Sequence, residues 1–187
     1  MAKEIVYSKN SVEFVTVAVQ YCVLLESAQN IAVKDLVDKL TKMLPLLYLK
    51  ASMGPSSEMM DDDMPEMSVT EDDYNYIMSG LYQVFGKDDA YLEVFLQDMK
   101  YSETPIAESI SENLTDIYQD LKNCLVIYER GIDENMNDAL YVCMENFKTY
   151  WGQKLVNALR ALHSLKYSEV DDSLEEEPLQ TEEDDIW

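Results

Sequence analysis

Residues 10–29 of this chain read NSVEFVTVAVQYCVLLESAQ, an apolar run with few polar positions. On a helix, at about 100° per residue, five polar side chains of this region fall within about 60° of one another. They are Lys9, Glu13, Thr16, Gln20 and Ser27. All other faces are apolar and favour burial. The stretch therefore predicts the central helix of an all-α domain, with one narrow stripe facing water.

Helical patterns continue along the chain, and no segment shows the sustained alternation of a strand. Asn10 is predicted to cap the first helix together with Glu13, and Pro45 to kink or break the second. Further helices are predicted to start near Ala32, Thr70, Asp89, Thr104 and Asp133. The last of these runs to Tyr167 and bends at Gly152. We therefore predict a single-domain bundle of about five to seven helices over residues 1–167.

The net charge of -23 is unevenly placed along the chain. Residues 168–187 contain ten acids and no base, and residues 52–69 contain five acids and no base. Such a balance opposes direct binding to nucleic-acid phosphates or to an anionic membrane surface, because either needs a large basic patch. A basic protein partner, or solubility alone, fits the charge better.

Cys22, Cys124 and Cys143 are far apart, and each lies in an apolar helical pattern. An odd number of widely spaced cysteines favours reduced core thiols over a disulfide framework or a zinc site. The apolar run from Val12 to Leu25 is too short to span a bilayer, and acidic residues flank it without a cleavage site. These features predict a cytoplasmic protein.

No catalytic, cofactor-binding or metal-binding residue is predicted. His163 is the only histidine, which excludes multi-histidine zinc sites and a dinuclear carboxylate site. No glycine-rich phosphate loop is present. A nucleophilic pair of His163 with Cys143 or Cys22 is left open, although apolar helical cysteines are usually inert.

Residues 52–69 form an acidic, methionine-rich segment that also contains glycine and proline, and we predict a mobile loop. Its candidate partner-contact residues are Met59, Met60, Asp61, Asp62 and Asp63, because flexible methionines adapt to varied surfaces. Two plainer interpretations remain: a solvated loop that tolerates methionine, and weak divalent-cation binding without the spacing of a calcium loop.

Residues 168–187 form a second acidic segment, which has too few apolar groups to order on its own, so we predict a disordered tail. The tail ends in Ile186 and Trp187, the other candidate partner contacts. It follows a locally basic helix that carries Lys148, Lys154, Arg160 and Lys166. The tail is interpreted as a clasp on that helix, as a recruiter of a basic partner, or as a solvating segment.

Glu26 is the one charge of the first helix that lies off its polar stripe. Arg130 and Arg160 are the only arginines of the chain. We predict a buried ion pair between Glu26 and one of them.

Three stretches, SKNSVEFVTVAVQYCVLLE (8–26), LTKMLPLLYLKAS (40–52) and YWGQKLVNALRALHSL (150–165), resemble an uncharacterised bacterial family, the domain-of-unknown-function family 5063. The resemblance covers nearly the whole chain before the tail. It implies a family without an assigned activity, so no functional residue is carried over from it.

These observations favour a non-enzymatic, cytoplasmic helical module that binds a protein partner through the acidic loop, the tail or both. One alternative is an acidic mimic of nucleic acid that occupies basic DNA-binding proteins; it would need carboxylates in a rigid row. The other is a small-molecule or enzymatic pocket lined by some of the thirteen tyrosines.

Overall fold

The computed structural model describes residues 2–92 and 107–168, and over this range it confirms the all-α bundle. In chain order the elements are α1 (Ala2–Val6), α2 (Lys9–Glu26), α3 (Val33–Ser52), α4 (Glu71–Phe85), β1 (Ala90–Leu92), β2 (Ala107–Ser109), α5 (Ile110–Glu129), α6 (Asp133–Asn146) and α7 (Gly152–Tyr167). A π-helical turn, Phe147–Trp151, joins α6 to α7.

Helix α5 lies at the centre of the bundle, where it packs against α2, α4, α6 and α7. Its residues Leu114, Ile117 and Leu121 share one face and are fully buried. Helix α2 packs on α3 and α5 but leaves one side open to solvent. The prediction that α2 is the central helix is therefore wrong. Helix α5 also buries polar side chains such as Asp116, which makes it less hydrophobic than a central helix is expected to be.

Helix α2 begins at Lys9, and Ser8 caps it instead of the predicted Asn10. The Ser8 hydroxyl oxygen accepts a hydrogen bond from the backbone amide of Ser11 at 3.3 Å. Asn10 lies inside the helix. The short helix α1 precedes this cap, so the chain turns at Ser8 and packs α1 against α6.

The exposed side of α2 is wider than the predicted polar stripe. Ala18, Cys22 and Leu25 are buried as expected. Three valines on the opposite side are 45, 44 and 56% exposed, namely Val12, Val19 and Val23. Helix α2 packs mainly against two neighbours, which leaves part of its apolar surface uncovered, and the sequence pattern does not distinguish that part from the rest.

Helix α3 continues through Pro45 without a break, so of the two predicted outcomes, a kink or a break, the break is wrong. Proline removes one backbone hydrogen bond and clashes with the preceding turn, which costs about 3 kcal/mol in a helix interior. The neighbouring residues Leu44 and Leu47 are fully buried, and α3 packs against α2 and α7. This packing outweighs the local cost of the proline.

Pro45→Ala is expected to stabilise the protein by about 1–2 kcal/mol, because the restored amide can donate to the Thr41 carbonyl while the unfolded chain gains some freedom. The free energy of unfolding in urea measures the change. Lys39→Ala, at another exposed position of α3, is the control and should shift stability by less than about 0.5 kcal/mol. A loss of stability in Pro45→Ala would show that the packing of α3 depends on the proline.

Helix α4 has the ends that the sequence predicts. The Thr70 hydroxyl oxygen accepts the Asp73 amide at 3.2 Å, and the Asp73 carboxylate accepts the Thr70 amide at 3.0 Å. These hydrogen bonds lower the pKa of Asp73. Gly86 ends the helix with φ = +55°, a conformation that side chains rarely adopt. Both ends are set by residues close together in sequence.

The region between α4 and α5 differs from the prediction. Residues 90–92 form a strand paired antiparallel with residues 107–109, and α5 begins at Ile110 after its cap Ser109, not at Thr104. Asp89, predicted to start a helix, is buried and accepts hydrogen bonds from Ser109 and Ser111. The rest of that predicted helix, residues 93–100, and the predicted start at residue 104 lie outside the described residues.

The predicted interruption of the last helix is found at the π-helical turn. The Gly152 amide donates to the Phe147 carbonyl, the bond over five residues that defines such a turn. Trp151 is fully buried beside it, and its indole nitrogen donates to the Cys143 carbonyl at 3.0 Å. Helix α7 then packs against α3 and α5. Asp133, predicted to cap α6, is instead its first residue, after Ile132.

All three cysteines are free and buried, in the core positions that the sequence predicts. Burial raises the pKa of the Cys22 thiol to about 12. A hydrogen bond with Cys124 and burial both raise the pKa of Cys143. Neither Cys22 nor Cys143 is therefore a thiolate near neutral pH, so neither has the protonation state of a reactive cysteine.

Candidate functional site

A buried carboxylate, Asp116 of α5, is the centre of a polar cluster that links several helices. It accepts hydrogen bonds from the hydroxyls of Tyr74 (2.7 Å) and Tyr150 (2.9 Å), and Lys154 lies 2.7 Å away in a salt bridge. The side chains of Asp116 and Lys154 are only 9% and 22% exposed. The cluster therefore joins α5 to α4, to the π-helical turn and to α7.

Helix geometry explains how the cluster extends along α5. Asn113, Asp116 and Asp120 are three and four residues apart, so they share one face. The Asn113 side chain accepts from Lys154 at 3.2 Å and donates to the Tyr91 hydroxyl. This face of α5 therefore carries a continuous row of polar contacts from strand β1 to α7.

Burial governs the electrostatics of the cluster. Burial, and then the hydrogen bond to Asp116, raise the pKa values of Tyr74 and Tyr150 well above the ordinary range. Burial also raises the pKa of Asp120, against a hydrogen bond from the Asn146 amide nitrogen. The tyrosines therefore act as hydrogen-bond donors, and Asp120 weakens the fold when it is ionised.

Asp120→Asn is expected to stabilise the protein at pH 7 and to lose that advantage near pH 3. The folded-state pKa of Asp120 is raised, so the folded state holds its proton after the unfolded state has released it, and stability falls as the pH rises above 3.8. The asparagine can still accept from Asn146. Urea unfolding at both pH values measures the difference in the free energy of unfolding between Asp120→Asn and the wild type. Glu129→Gln, at the exposed end of α5, is the control. Equal effects at both pH values would contradict the prediction.

The hydrogen bonds and the salt bridge of this cluster hold helices together, and the cluster lacks the features of a catalytic centre. Each oxygen of Asp116 already accepts a hydrogen bond or an ion pair, and Lys154 neutralises its charge. Within residues 2–92 and 107–168, no group of three or more His, Cys, Asp or Glu side chains is placed to hold a metal ion.

An apolar concave surface lies between α2 and α3, and we call it the α2–α3 groove. It has a volume of about 590 Å³. Its apolar walls are Val19, Val23, Leu24, Ile31, Met43 and Leu46, and its polar lining is Gln20, Ser27, Lys39 and Lys42. Exposed apolar surface of this kind is typical of binding sites.

The apolar surface continues past the groove. Val19 and Val23 also line a second concavity of about 350 Å³ between α2 and α5, together with Leu125 and Val126. These two valines therefore form a ridge with an apolar groove on each side. The ridge lies beside the polar stripe, on a part of α2 that the sequence analysis had assigned to the core.

The charge around the α2–α3 groove is opposite in sign to that of the whole protein. Helix α3 carries four lysines and two aspartates, and α7 carries Arg160 and Lys166 without an acid, besides Lys154, which pairs with Asp116. The two helices pack together. The α3–α7 side is therefore a locally basic surface on a strongly acidic chain.

Glu26 forms an ion pair, but with Lys122 of α5 instead of Arg130 or Arg160. Its carboxylate lies 2.7 Å from the lysine nitrogen and accepts from the Tyr118 hydroxyl at 3.0 Å. The Glu26 side chain is 38% exposed, so the pair is not buried. The predicted partner and burial are both wrong. Arg130 and Arg160 are exposed, and Arg130 borders the acidic loop.

The acidic loop of residues 52–69 is attached to the bundle at two places. The Asp138 carboxylate accepts the backbone amides of Met60 (2.8 Å) and Asp61 (3.0 Å). Asn123 accepts those of Ser68 and Val69. Asp61, Asp62 and Asp63 are exposed, as is Met60, whereas Met59 is half-buried. A contact role for these residues stays a prediction.

The remaining predicted site residues are not brought together. His163 is exposed on α7, where its ring stacks on Tyr167, whereas the cysteines are buried. The pairing of His163 with Cys22 or Cys143 is therefore not formed. Ile186 and Trp187, with the rest of the predicted tail, lie outside the described residues.

Sequence reasoning missed the residues that attach the loop and those that form the groove. Asp138 and Asn123 lie more than fifty positions from the amides they bind, and no local motif marks them. Exposed Val19 and Val23 look like core residues in the sequence. The only available signal was that valines continue around α2 beyond the width of one buried face.

Among the described residues, none of the helices is long and apolar enough to cross a membrane. The sequence model of a family described as "Domain of unknown function (DUF5063)" matches residues 5–168. The chain is similar to the crystal structure of protein BF1032 from Bacteroides fragilis, with 44% identity and a TM-score of 0.79, covering 88% of this chain and 97% of that chain. No curated protein matches the chain.

Proposed function

The chain belongs to the DUF5063 family, and we propose that it is a non-enzymatic, cytoplasmic protein-interaction module that binds its partner in the α2–α3 groove. The observation that supports this most is the exposure of Val19, Val23 and Leu46 on adjoining sides of one groove. Burial of apolar surface drives most protein association.

The groove suits an amphipathic helix. Helices α2 and α3 form its two walls, and Lys50 of α3 pairs with Glu13 of α2 at 2.7 Å, which holds the walls together. A helix lying in such a groove places apolar side chains at i, i+3 or i+4, and i+7. Lys39 lines the groove beside Lys42, which already pairs with Asp38 at 2.7 Å, and Lys39 favours a partner helix with acidic residues beside its apolar face.

The tyrosine-pocket alternative has less support. Several of the buried or half-buried tyrosines are used to join elements: Tyr21 donates to the Leu114 carbonyl and Tyr128 to the Val6 carbonyl, while Tyr118 donates to Glu26. Their hydroxyls point at protein groups within the bundle. The nucleic-acid mimic stays a prediction, because its acidic tail lies outside the described residues.

The test is photo-crosslinking in native cell extract from a photoreactive residue placed at Val23, compared with the same residue at Val12. Both valines are exposed on α2, but only Val23 lines the groove. We expect one protein to crosslink from position 23 and not from position 12. The purified crosslinked protein should bind the full chain, with affinity at least tenfold lower for Val23→Asp and unchanged for Val12→Asp.

A crosslinked protein whose affinity is equal for Val23→Asp and Val12→Asp would overturn the proposal. So would equal crosslinking from both positions, because it would indicate nonspecific contact with exposed valines. Circular dichroism of both variants confirms that the helical content is unchanged.

A further inference from the structure

We infer that residues 169–187 of this chain bind in the α2–α3 groove, with Ile186 and Trp187 as apolar anchors, and thereby compete with the partner. This inference rests on the proposed function, since it regulates the same site. Three observations carry it: the place where the chain leaves α7, the charge of the surface it would cross, and the chemistry of the groove.

The tail starts beside α3. Lys166, in the last turn of α7, lies 2.9 Å from the Asp38 carboxylate and donates to the Thr41 hydroxyl at 3.1 Å. Lys39 and Lys42 are the next residues along the same helix, and both line the groove. At about 100° per residue, the groove side of α3 lies roughly a third of a turn from the side that contacts α7.

The tail is long enough for this path. A helix with its side chains is about 10–12 Å across, which sets the scale of the distance around α3. A flexible chain of eighteen residues has a root-mean-square span of about 23 Å. Residues 186 and 187 therefore reach the groove without extending the chain. Tethering also supplies an effective concentration in the millimolar range, so a weak contact is sufficient.

The negative charge of the tail favours contact with α3 and α7 over contact with the rest of the protein. Residues 168–187 contain ten acids and no base. Helices α3 and α7, which flank the start of the tail, are together basic, whereas the remaining chain is acidic. Opposite charges at this separation attract, and salt weakens the attraction. The lysines on the groove edge then meet carboxylates of the tail.

The anchors match the groove. Its volume of about 590 Å³ falls in the usual range of small-ligand sites, about 300–1,000 Å³. Trp187 is the largest apolar side chain of the tail, and tryptophan is among the residues that contribute most to interfaces. A tail ending in an isoleucine and a tryptophan beside carboxylates repeats the partner chemistry that the groove favours.

Trp187 fluorescence in the full chain tests the inference without any partner. The chain has two tryptophans, and Trp151 is fully buried. Subtracting the spectrum of Trp187→Phe from that of the wild type isolates the Trp187 signal. We expect a blue-shifted signal with acrylamide quenching several-fold weaker than that of a free tryptophan derivative. Val23→Asp should restore full quenching, and the control Val12→Asp should not.

The predicted protection should also weaken in 1 M salt and in Lys39→Glu. Full quenching of Trp187 in the wild type overturns the inference, as does protection that Val23→Asp leaves intact. Protection that disappears on dilution places the tail on a second copy and overturns the intrachain contact. None of these results depends on a partner, so the proposed function is tested separately by the crosslinking experiment.

Discussion

Asp116→Ala is expected to lower the free energy of unfolding by about 3–5 kcal/mol, the range for breaking a buried ion pair from one side. The substitution leaves Lys154, whose side chain is 22% exposed, without its counter-charge. It also removes the acceptor of the Tyr74 and Tyr150 hydroxyls. Tyr150 is 46% exposed, so its hydroxyl can bond water instead, and the buried ion pair sets the size of the loss.

Urea unfolding at pH 7 measures the effect, with Glu129→Ala at the exposed end of α5 as control, expected within about 0.5 kcal/mol of wild type. The double variant Asp116→Ala with Lys154→Met should regain part of the loss, because it removes the unpaired charge. A single-variant loss below about 1 kcal/mol would show that water replaces the carboxylate.

Gly152→Ala is expected to destabilise the protein by about 2–4 kcal/mol, the range for overpacking or backbone strain. A Cβ at this position would lie 2.3 Å from the Phe147 carbonyl oxygen and 2.9 Å from the Phe147 ring. Backbone atoms of a π-helical turn cannot move aside without loss of the bond from Gly152 to Phe147. The clash therefore outweighs the gain of about 1 kcal/mol that alanine brings to an ordinary helix.

Gly80→Ala in α4 is the matched control for this substitution. Its Cβ would also meet an atom at 2.3 Å, the terminal nitrogen of Gln29, with Cγ and Cδ of the same residue at 2.8 and 2.9 Å. All three atoms belong to the side chain of an exposed residue, which can rotate away. We expect this variant within about 1 kcal/mol of the wild type. Unfolding temperatures of the two variants give the comparison. Equal stability would mean that the turn returns to a regular α-helix when Gly152 is replaced.

The accuracy of the sequence predictions followed the range of the interactions that set each feature. The ends of α4 were predicted because Thr70 and Asp73 bind each other three residues apart, and Gly86 adopts its own conformation. Neither the capping hydrogen bonds nor the Gly86 conformation depends on contact with another helix or strand. The same is true of the all-α class, which the three- and four-residue periodicity indicates along most of the chain.

In the region between α4 and α5, the prediction from local sequence failed because contacts between distant residues determine the structure. Asp89 was predicted to begin a helix, but it binds Ser109 and Ser111, about twenty residues away, and residues 90–92 pair with 107–109. Those contacts form only when the two segments meet. Helix propensities differ by a few tenths of a kcal/mol per residue. The several hydrogen bonds of the buried Asp89 carboxylate stabilise the observed structure by more than that.

The candidate surfaces were predicted less well than the fold. Glu26 was assigned an arginine because arginines are rare here, yet Lys122 on the adjoining face of α5 is the cation within reach. Val19 and Val23 carry the same sequence signal as the buried valine of α2, Val17. Hydrophobicity measures how much a side chain avoids water and does not say whether another element covers it.

Interactions between residues close in sequence were thus sufficient to predict the helical class and the capping of α4. The sequence also predicted the buried cysteines and showed the concentration of acid in two segments. Tertiary packing determined that other helices surround α5 and that α3 continues through Pro45. It also determined that the valine ridge of α2 is exposed to solvent beside the α2–α3 groove. The physical reason is that caps and periodicity depend on residues within a few positions. Which apolar face stays open depends on where helices far apart in the chain come to lie.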